Sequence, residues 1–130
     1  MSGRIAIGVG CRLGCSANVI ETLVRQALER APTAERLGLF TIRDKTGETG
    51  LIEAAGRLGL DLIFLTREAL RTQAPFIQTR SLRAESLFGV ASVAEAAALA
   101  GIGANAVLVV PRMASQSATC AVAGSRGDPP

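Results

Sequence analysis

The residues best placed to meet an anion open the chain. Gly8-Val9-Gly10-Cys11-Arg12-Leu13-Gly14 follows a short apolar run and precedes Ser16. Glycines at Gly8 and Gly10 between a strand and a helix let backbone N–H groups approach an anion, and the helix N-terminus adds its partial positive charge. Arg12 adds a guanidinium able to grip a carboxylate or phosphate with two parallel bonds. The spacing departs from a dinucleotide fingerprint, which needs a glycine at position 13, where Leu13 stands. A tight turn with no ligand explains the same glycines. Lys45 and Glu48 share a second polar turn, and Arg67 follows a third apolar run. Lys45 could pair with an anion. Glu48 could act as a general acid or base, or simply sit in a helix first turn where the dipole favours it. Ser92 and Glu95 stand three apart, as a capping box requires, and Glu95 is the other carboxylate weighed for acid–base chemistry. Thr119 lies in an apolar run near the end of the chain.

These residues need elements to hold them. Arg4 to Val9 reads as a first strand, and Ser16 as the N-cap of a helix with Ile20, Leu23, Val24, Ala27 and Leu28 on one face, closed by Pro32. Leu37 to Ile42 is a second strand. A second helix runs from Glu48 to Leu58, with Leu51, Ile52, Ala55 and Leu58 inward and Gly59 at its end. Leu62 to Leu65 is apolar without alternation, which predicts a strand covered on both faces. Thr66 caps a short helix to Arg71. Thr72 to Phe88 shows little periodicity and reads as a loop with a short strand near Phe76. An Ala-rich helix follows Ser92 to about Ala100, and Val107 to Pro111 and Ala118 to Ala123 pair as an antiparallel hairpin. The expected fold is α/β: a three-layer αβα sandwich with a mixed, mostly parallel sheet of five to six strands. One domain covers residues 1–123, and 124–130 form a flexible tail. In such a fold ligands gather at the carboxyl ends of the parallel strands, where Gly8 to Ser16, Asp44 to Glu48 and Thr66-Arg67 converge.

Composition narrows the function. Lys45 is the one lysine among 14 basic residues, so arginine carries nearly all the positive charge. A GC-rich genome accounts for this as well as an anionic ligand does. Acidic residues are interspersed with the basic ones, and four Phe with no Trp or Tyr offer few surfaces on which bases could stack, so nucleic acid is not expected as a partner. No apolar run reaches the roughly 18 residues of a membrane span, and no signal-peptide pattern is seen. Cys11, Cys15 and Cys120, with no His in the chain, do not complete a zinc site or a Cys–His pair. They read as small packing residues in a reducing cytoplasm, although a thiol as close to a helix start as Cys15 could be acidified. No metal and no cofactor are expected.

Four segments together resemble a known family. G-V-G-C-R-L-G at Gly8 to Gly14, K-T-G-E-T-G-L at Lys45 to Leu51, G-V-A-S-V-A-E-A-A-A-L at Gly89 to Leu99 and A-T-C-A-V-A from Ala118 occur in the order and spacing of the cobalamin-biosynthesis family of CobE and the C-terminal domain of CbiG. The likeness runs from about Arg4 to Ala123. It implies a three-layer αβα fold and a place in corrin-ring construction. It points to Gly8, Gly10, Cys11, Arg12, Lys45, Glu48, Ser92, Glu95 and Thr119. Leu13 stands where the family suggests a second Arg, and Arg112 where it often has Lys. The larger relatives hydrolyse the ring-A lactone of cobalt-precorrin-5A and release a two-carbon aldehyde, but they carry N-terminal regions that this chain lacks.

Three functions compete on this reading. The first is a carrier or accessory protein for an anionic precorrin or corrin intermediate, met by Arg12, Lys45 and Arg67 with the Arg80/Arg83 segment as a lid. The second is a hydrolase acting on the same macrocycle through Glu48 or Glu95. The third is a scaffold whose partners are other enzymes of the cobalamin pathway.

Overall fold

A computed structural model describes residues 3–125. Five strands form one sheet in the order β3-β2-β1-β5-β4. These are β1 (Arg4–Cys11), β2 (Glu35–Ile42), β3 (Leu62–Leu65), β4 (Ala106–Ala114) and β5 (Ala118–Ser125). β1, β2 and β3 pair in parallel, β5 pairs antiparallel to β1, and β4 closes the hairpin antiparallel to β5. The mixed α/β sheet is the one expected, with β5 as its single reversed strand.

Alternation along β1 sends side chains to both faces, as a pleated strand must. Ile5, Ile7 and Val9 join Leu39, Cys120 and Val122 against α1 (Ala17–Arg30) and α2 (Thr49–Leu58). Ala6, Gly8 and Gly10 face the other side, where α5 (Val93–Ile102) crosses the sheet. α5 is buried from Val93 through Leu99, and its alanines let the helix axis come close. Gly8 completes that approach: a Cβ there would lie 1.9 Å from the Ala94 carbonyl oxygen. The glycine serves helix–sheet packing.

The caps follow the chemistry of the sequence. Ser16 Oγ accepts from Val19 N–H, Thr66 Oγ1 from Ala69 N–H and Ser92 Oγ from Glu95 N–H. Gly59 ends α2 in the left-handed region, at φ 67°.

Several expectations need correction. Residues 72–88 are not a loop. α3 (Arg67–Arg71) leads to a 3₁₀ turn at Ala74–Phe76 where a strand was expected, and then to α4 (Leu82–Phe88). α4 buries no residue, so it leaves no apolar stripe in the sequence. β3 is a half-buried edge strand, and the lack of alternation there did not mean cover on both faces. Ile52 points outward, 54% exposed, while Ala54 takes the inward place. β5 runs to Ser125, so Gly124 and Ser125 belong to the sheet; the rest of the expected tail lies outside the described residues. Among the described residues no single helix is long and apolar enough to cross a membrane.

Candidate functional site

A cleft of about 490 Å³ opens at the carboxyl end of β1. Gly10, Cys11, Arg12 and Leu13 form its floor, and Lys45 enters from the short 3₁₀ turn Arg43–Lys45 after β2. Ser92 and Val93 at the start of α5 line the back. One wall is the α4 segment, with Ser81, Arg83, Ala84, Leu87 and Phe88. The opposite wall is the β4–β5 hairpin, with Arg112, the turn Ser115-Gln116-Ser117 and Thr119. Arg12, Lys45, Arg83 and Arg112 are four cations, and no Asp or Glu is among the lining residues. Among the described residues none of the four has an ion-pair partner. Leu13, Leu87, Phe88 and Val93 supply apolar surface between the charges.

The backbone of the first loop contributes less than its glycines suggest. Arg12 N–H donates to Ser117 O at 2.8 Å, Gly14 N–H to Glu48 Oε1 at 2.9 Å, and Cys15 N–H to Arg12 O at 3.1 Å. Three amides expected to cradle an anion are already satisfied inside the protein. Charge selection therefore rests on side chains.

Of the residues singled out from the sequence, the structure gathers Gly10, Cys11, Arg12, Lys45, Ser92 and Thr119 at the cleft. The others stand elsewhere. Gly8 lies under α5, and Ser16 caps α1 on the surface. Arg67 is held by Asp44 through two guanidinium nitrogens at 2.6–3.2 Å, and this pairing keeps the Asp44 carboxyl below its usual range. Glu48 and Glu95 are buried and committed to hydrogen bonds. Glu48 braces the first loop through Gly14. Glu95 keeps only half of the capping box: its N–H meets Ser92 Oγ, but its carboxylate turns away and accepts from Gln78 N–H, Thr79 N–H, Thr79 Oγ1 and Arg112 N–H at 2.7–2.9 Å. Neither carboxylate lines the cleft.

Cys11 lines the floor, and burial pushes its thiol up to about 11 against the lowering pull of Lys45. Cys15 is buried, its Sγ 3.1 Å from Ser117 Oγ, and burial pushes Cys120 up to about 12. A thiol that stays protonated is a poor nucleophile and a poor metal ligand. Of the wall from the β4–β5 hairpin only Thr119 was anticipated as part of the site; Arg112 and the turn Ser115-Gln116-Ser117 were not. The signal for them was Arg112, noted only as a departure from a family pattern.

Residues 5–123 match the family model described as cobalamin synthesis G C-terminus. Protein CobE of a Sinorhizobium species is 31% identical over 122 residues, covering 92% of this chain and 79% of that protein. The cobalt-precorrin-5A hydrolase of Priestia megaterium is 31% identical over 110 residues, covering 83% of this chain and 29% of the hydrolase. This chain thus spans under a third of the hydrolase. The crystal structure of CobE, a protein from the cobalamin (vitamin B12) biosynthetic pathway, superimposes with a TM-score of 0.87 at 32% identity, over 95% of this chain and 92% of that one. With the motifs, the sheet order and these likenesses agreeing, the chain belongs to the cobalamin synthesis G C-terminus family, the family of CobE.

Proposed function

We propose that this chain binds an anionic precorrin or corrin intermediate and serves the cobalamin pathway as a carrier or accessory protein in the cytoplasm. The observation that carries this reading is the charge of the cleft: among the described residues, four cations without an ion-pair partner, no lining carboxylate, and apolar surface between them. A macrocycle ringed by carboxylate side chains has the complementary pattern, acidic at its edge and apolar on its faces. Arginine suits such a ligand because its planar fork matches a carboxylate and stays charged at every physiological pH. A cleft of about 490 Å³ takes one edge of the ring and leaves the remainder in solvent.

The hydrolase reading has less to work with. Neither candidate carboxylate lines the cleft, Glu95 has both oxygens engaged by backbone and hydroxyl donors, Glu48 Oε1 holds the Gly14 N–H, and the chain has no His to replace them.

Gel filtration of the purified protein with corrin-ring intermediates, followed by visible absorbance, tests the proposal. Unmodified side chains absorb no visible light, so colour in the protein fraction belongs to ligand; with no Trp or Tyr the protein itself is followed by its peptide absorbance. Unchanged ligand co-eluting with protein is the expected result. A new mass or a permanently shifted spectrum after release would move the assignment to catalysis. Colourless protein across the series would overturn binding by this chain and favour the scaffold.

A further inference from the structure

We propose that Glu95 is the positioning residue of the cleft, a single buried carboxylate that fixes both walls and so sets the spacing of their cations. The inference rests on the reading of the cleft as a carboxylate-binding site.

Glu95 is fully buried in the first turn of α5. A buried carboxylate without a cation survives only when hydrogen bonds replace its water, and the origin of these bonds is informative. Oε1 accepts from the N–H groups of Gln78 and Thr79, at 2.7 and 2.9 Å, and Oε2 from Thr79 Oγ1 at 2.8 Å. These donors lie in the irregular stretch between the Ala74–Phe76 turn and α4. Oε2 also accepts from Arg112 N–H at 2.9 Å. The β4–β5 register shifts between Val110 and Met113, which frees the Arg112 amide from the ladder. The carboxylate takes up the donor that this irregularity releases.

The α4 wall needs such an anchor. α4 buries no side chain of its own. Apart from Glu95, its approach is tied by Ser81 N–H donating to Ala91 O at 2.7 Å and by the partial packing of Ile77 and Phe88 on a small cluster around Leu70 and Val93. Arg83 stands on this wall and Arg112 on the other. Arg112 is bonded to Glu95 through its own N–H, and Arg83 stands four residues after Thr79, which is bonded to the same carboxylate. Ring carboxylates held at fixed separations demand cations at fixed separations, and pre-arranging them lowers the ordering cost on binding.

The test uses the full chain, with uroporphyrin, a coloured tetrapyrrole octacarboxylate, as the probe. Wild type, Glu95→Gln and Glu95→Ala are compared by absorbance titration and by hydrogen exchange with and without probe. Thr79→Val, which removes one donor from a half-buried position, is the mild variant should the others fold poorly. Without probe, Glu95→Ala should speed exchange at Gln78, Thr79 and Arg112 together, whereas Glu95→Gln should speed it chiefly at Arg112, because its carbonyl oxygen can still meet Gln78 and Thr79 while its NH2 faces the Arg112 N–H. Affinity should fall about tenfold or more in Glu95→Gln and further in Glu95→Ala, with Thr79→Val losing a few-fold. In wild type the bound probe should protect both walls. In Glu95→Ala it should protect the hairpin, which keeps its own ladder, and leave 82–88 exchanging freely, a split that a general loss of stability would not produce. Unchanged affinity and two-wall protection in a folded Glu95→Ala would overturn the positioning role. If wild type binds no probe, the carboxylate-site reading fails, while coupled exchange of Thr79 and Arg112 would still report the shared anchor. Independent exchange at those two amides would sink the anchor itself.

Discussion

Lys45 Nζ stands 5.9 Å from the centroid of the Phe88 ring. The Arg67 guanidinium carbon stands 5.6 Å from the same centroid. The last residue of α4 thereby meets the two basic side chains that follow β2 and β3, and Lys45 reaches the cleft alongside an aromatic ring. Contacts of this kind are worth about 0.5–1 kcal/mol at exposed sites. Phe88→Leu keeps apolar volume and removes the ring. It should weaken uroporphyrin binding by about 0.5–1 kcal/mol and lower thermal stability by a similar amount, because the ring also packs on the cluster around Leu70 and Val93. Titration beside a melting curve checks this; an unchanged affinity would remove Phe88 from the site.

The four cations of the cleft should act as a set. Arg12→Ala, Arg83→Ala and Arg112→Ala should each cost about 1.5–3 kcal/mol of probe affinity if each makes a charge-assisted bond. Rising salt should weaken binding in wild type more than in any of these variants, because exposed charges are screened over about 8–10 Å at ordinary ionic strength. Arg67→Ala is the useful contrast. Its guanidinium is engaged by Asp44 outside the cleft lining, so its loss should change affinity least. Parallel titrations at low and high salt would show the order.

Gly8→Ala tests the packing of α5. The added Cβ would meet backbone, the Ala94 carbonyl at 1.9 Å and the Ala98 nitrogen at 2.6 Å, so no side chain can swing away. Stability should fall by about 2–4 kcal/mol, at the upper end of overpacking costs. Urea denaturation measures it. A loss below about 0.5 kcal/mol, ordinary for a surface change, would mean α5 can lift off the sheet.

The buried thiols give alkaline pH a defined sign. Cys11 and Cys120 keep their protons to about 11 and 12 in the folded protein, against 9.0 when solvated. Between those limits the unfolded chain has released thiol protons that the native state retains. Stability therefore falls as pH rises above about 9 and is unaffected by these groups below it. Urea midpoints from pH 8 to 11 should decline, and Cys11→Ala should decline less steeply. A flat profile would show that Cys11 and Cys120 are better solvated than their burial indicates.

Much of the fold was legible because its signals are local. The period of Ile20, Leu23, Val24 and Ala27 required only α1 itself, and Ser16, Thr66 and Ser92 announced their helices by cap chemistry. α4 was invisible for the opposite reason: none of its residues is fully buried, and the stretch that leads into it is tied by a carboxylate on another helix. The site was half legible. Arg12 and Lys45 sit in strand-to-helix turns, where an α/β fold predicts a ligand. Arg112 reaches the cleft through a hairpin whose ladder is irregular, and no spacing in the sequence reports a register shift. Glu95 looked like a capping residue and is one through its amide alone. Its side chain answers to residues 16 and 17 positions away on both sides, a demand set by tertiary structure.

The engaged amides of the first loop bear on how this family can change. Where a turn binds its ligand with backbone, the preference is built into the chain path and survives most substitutions. Here Arg12, Gly14 and Cys15 have given their N–H groups to Ser117, Glu48 and the loop itself. The charge of the cleft is left to replaceable side chains on a turn that Ser117 and Glu48 hold in shape. One codon at position 13 or 112 then changes the charge of the cleft without rebuilding the scaffold, so relatives can share a backbone closely and still differ in the charge they present.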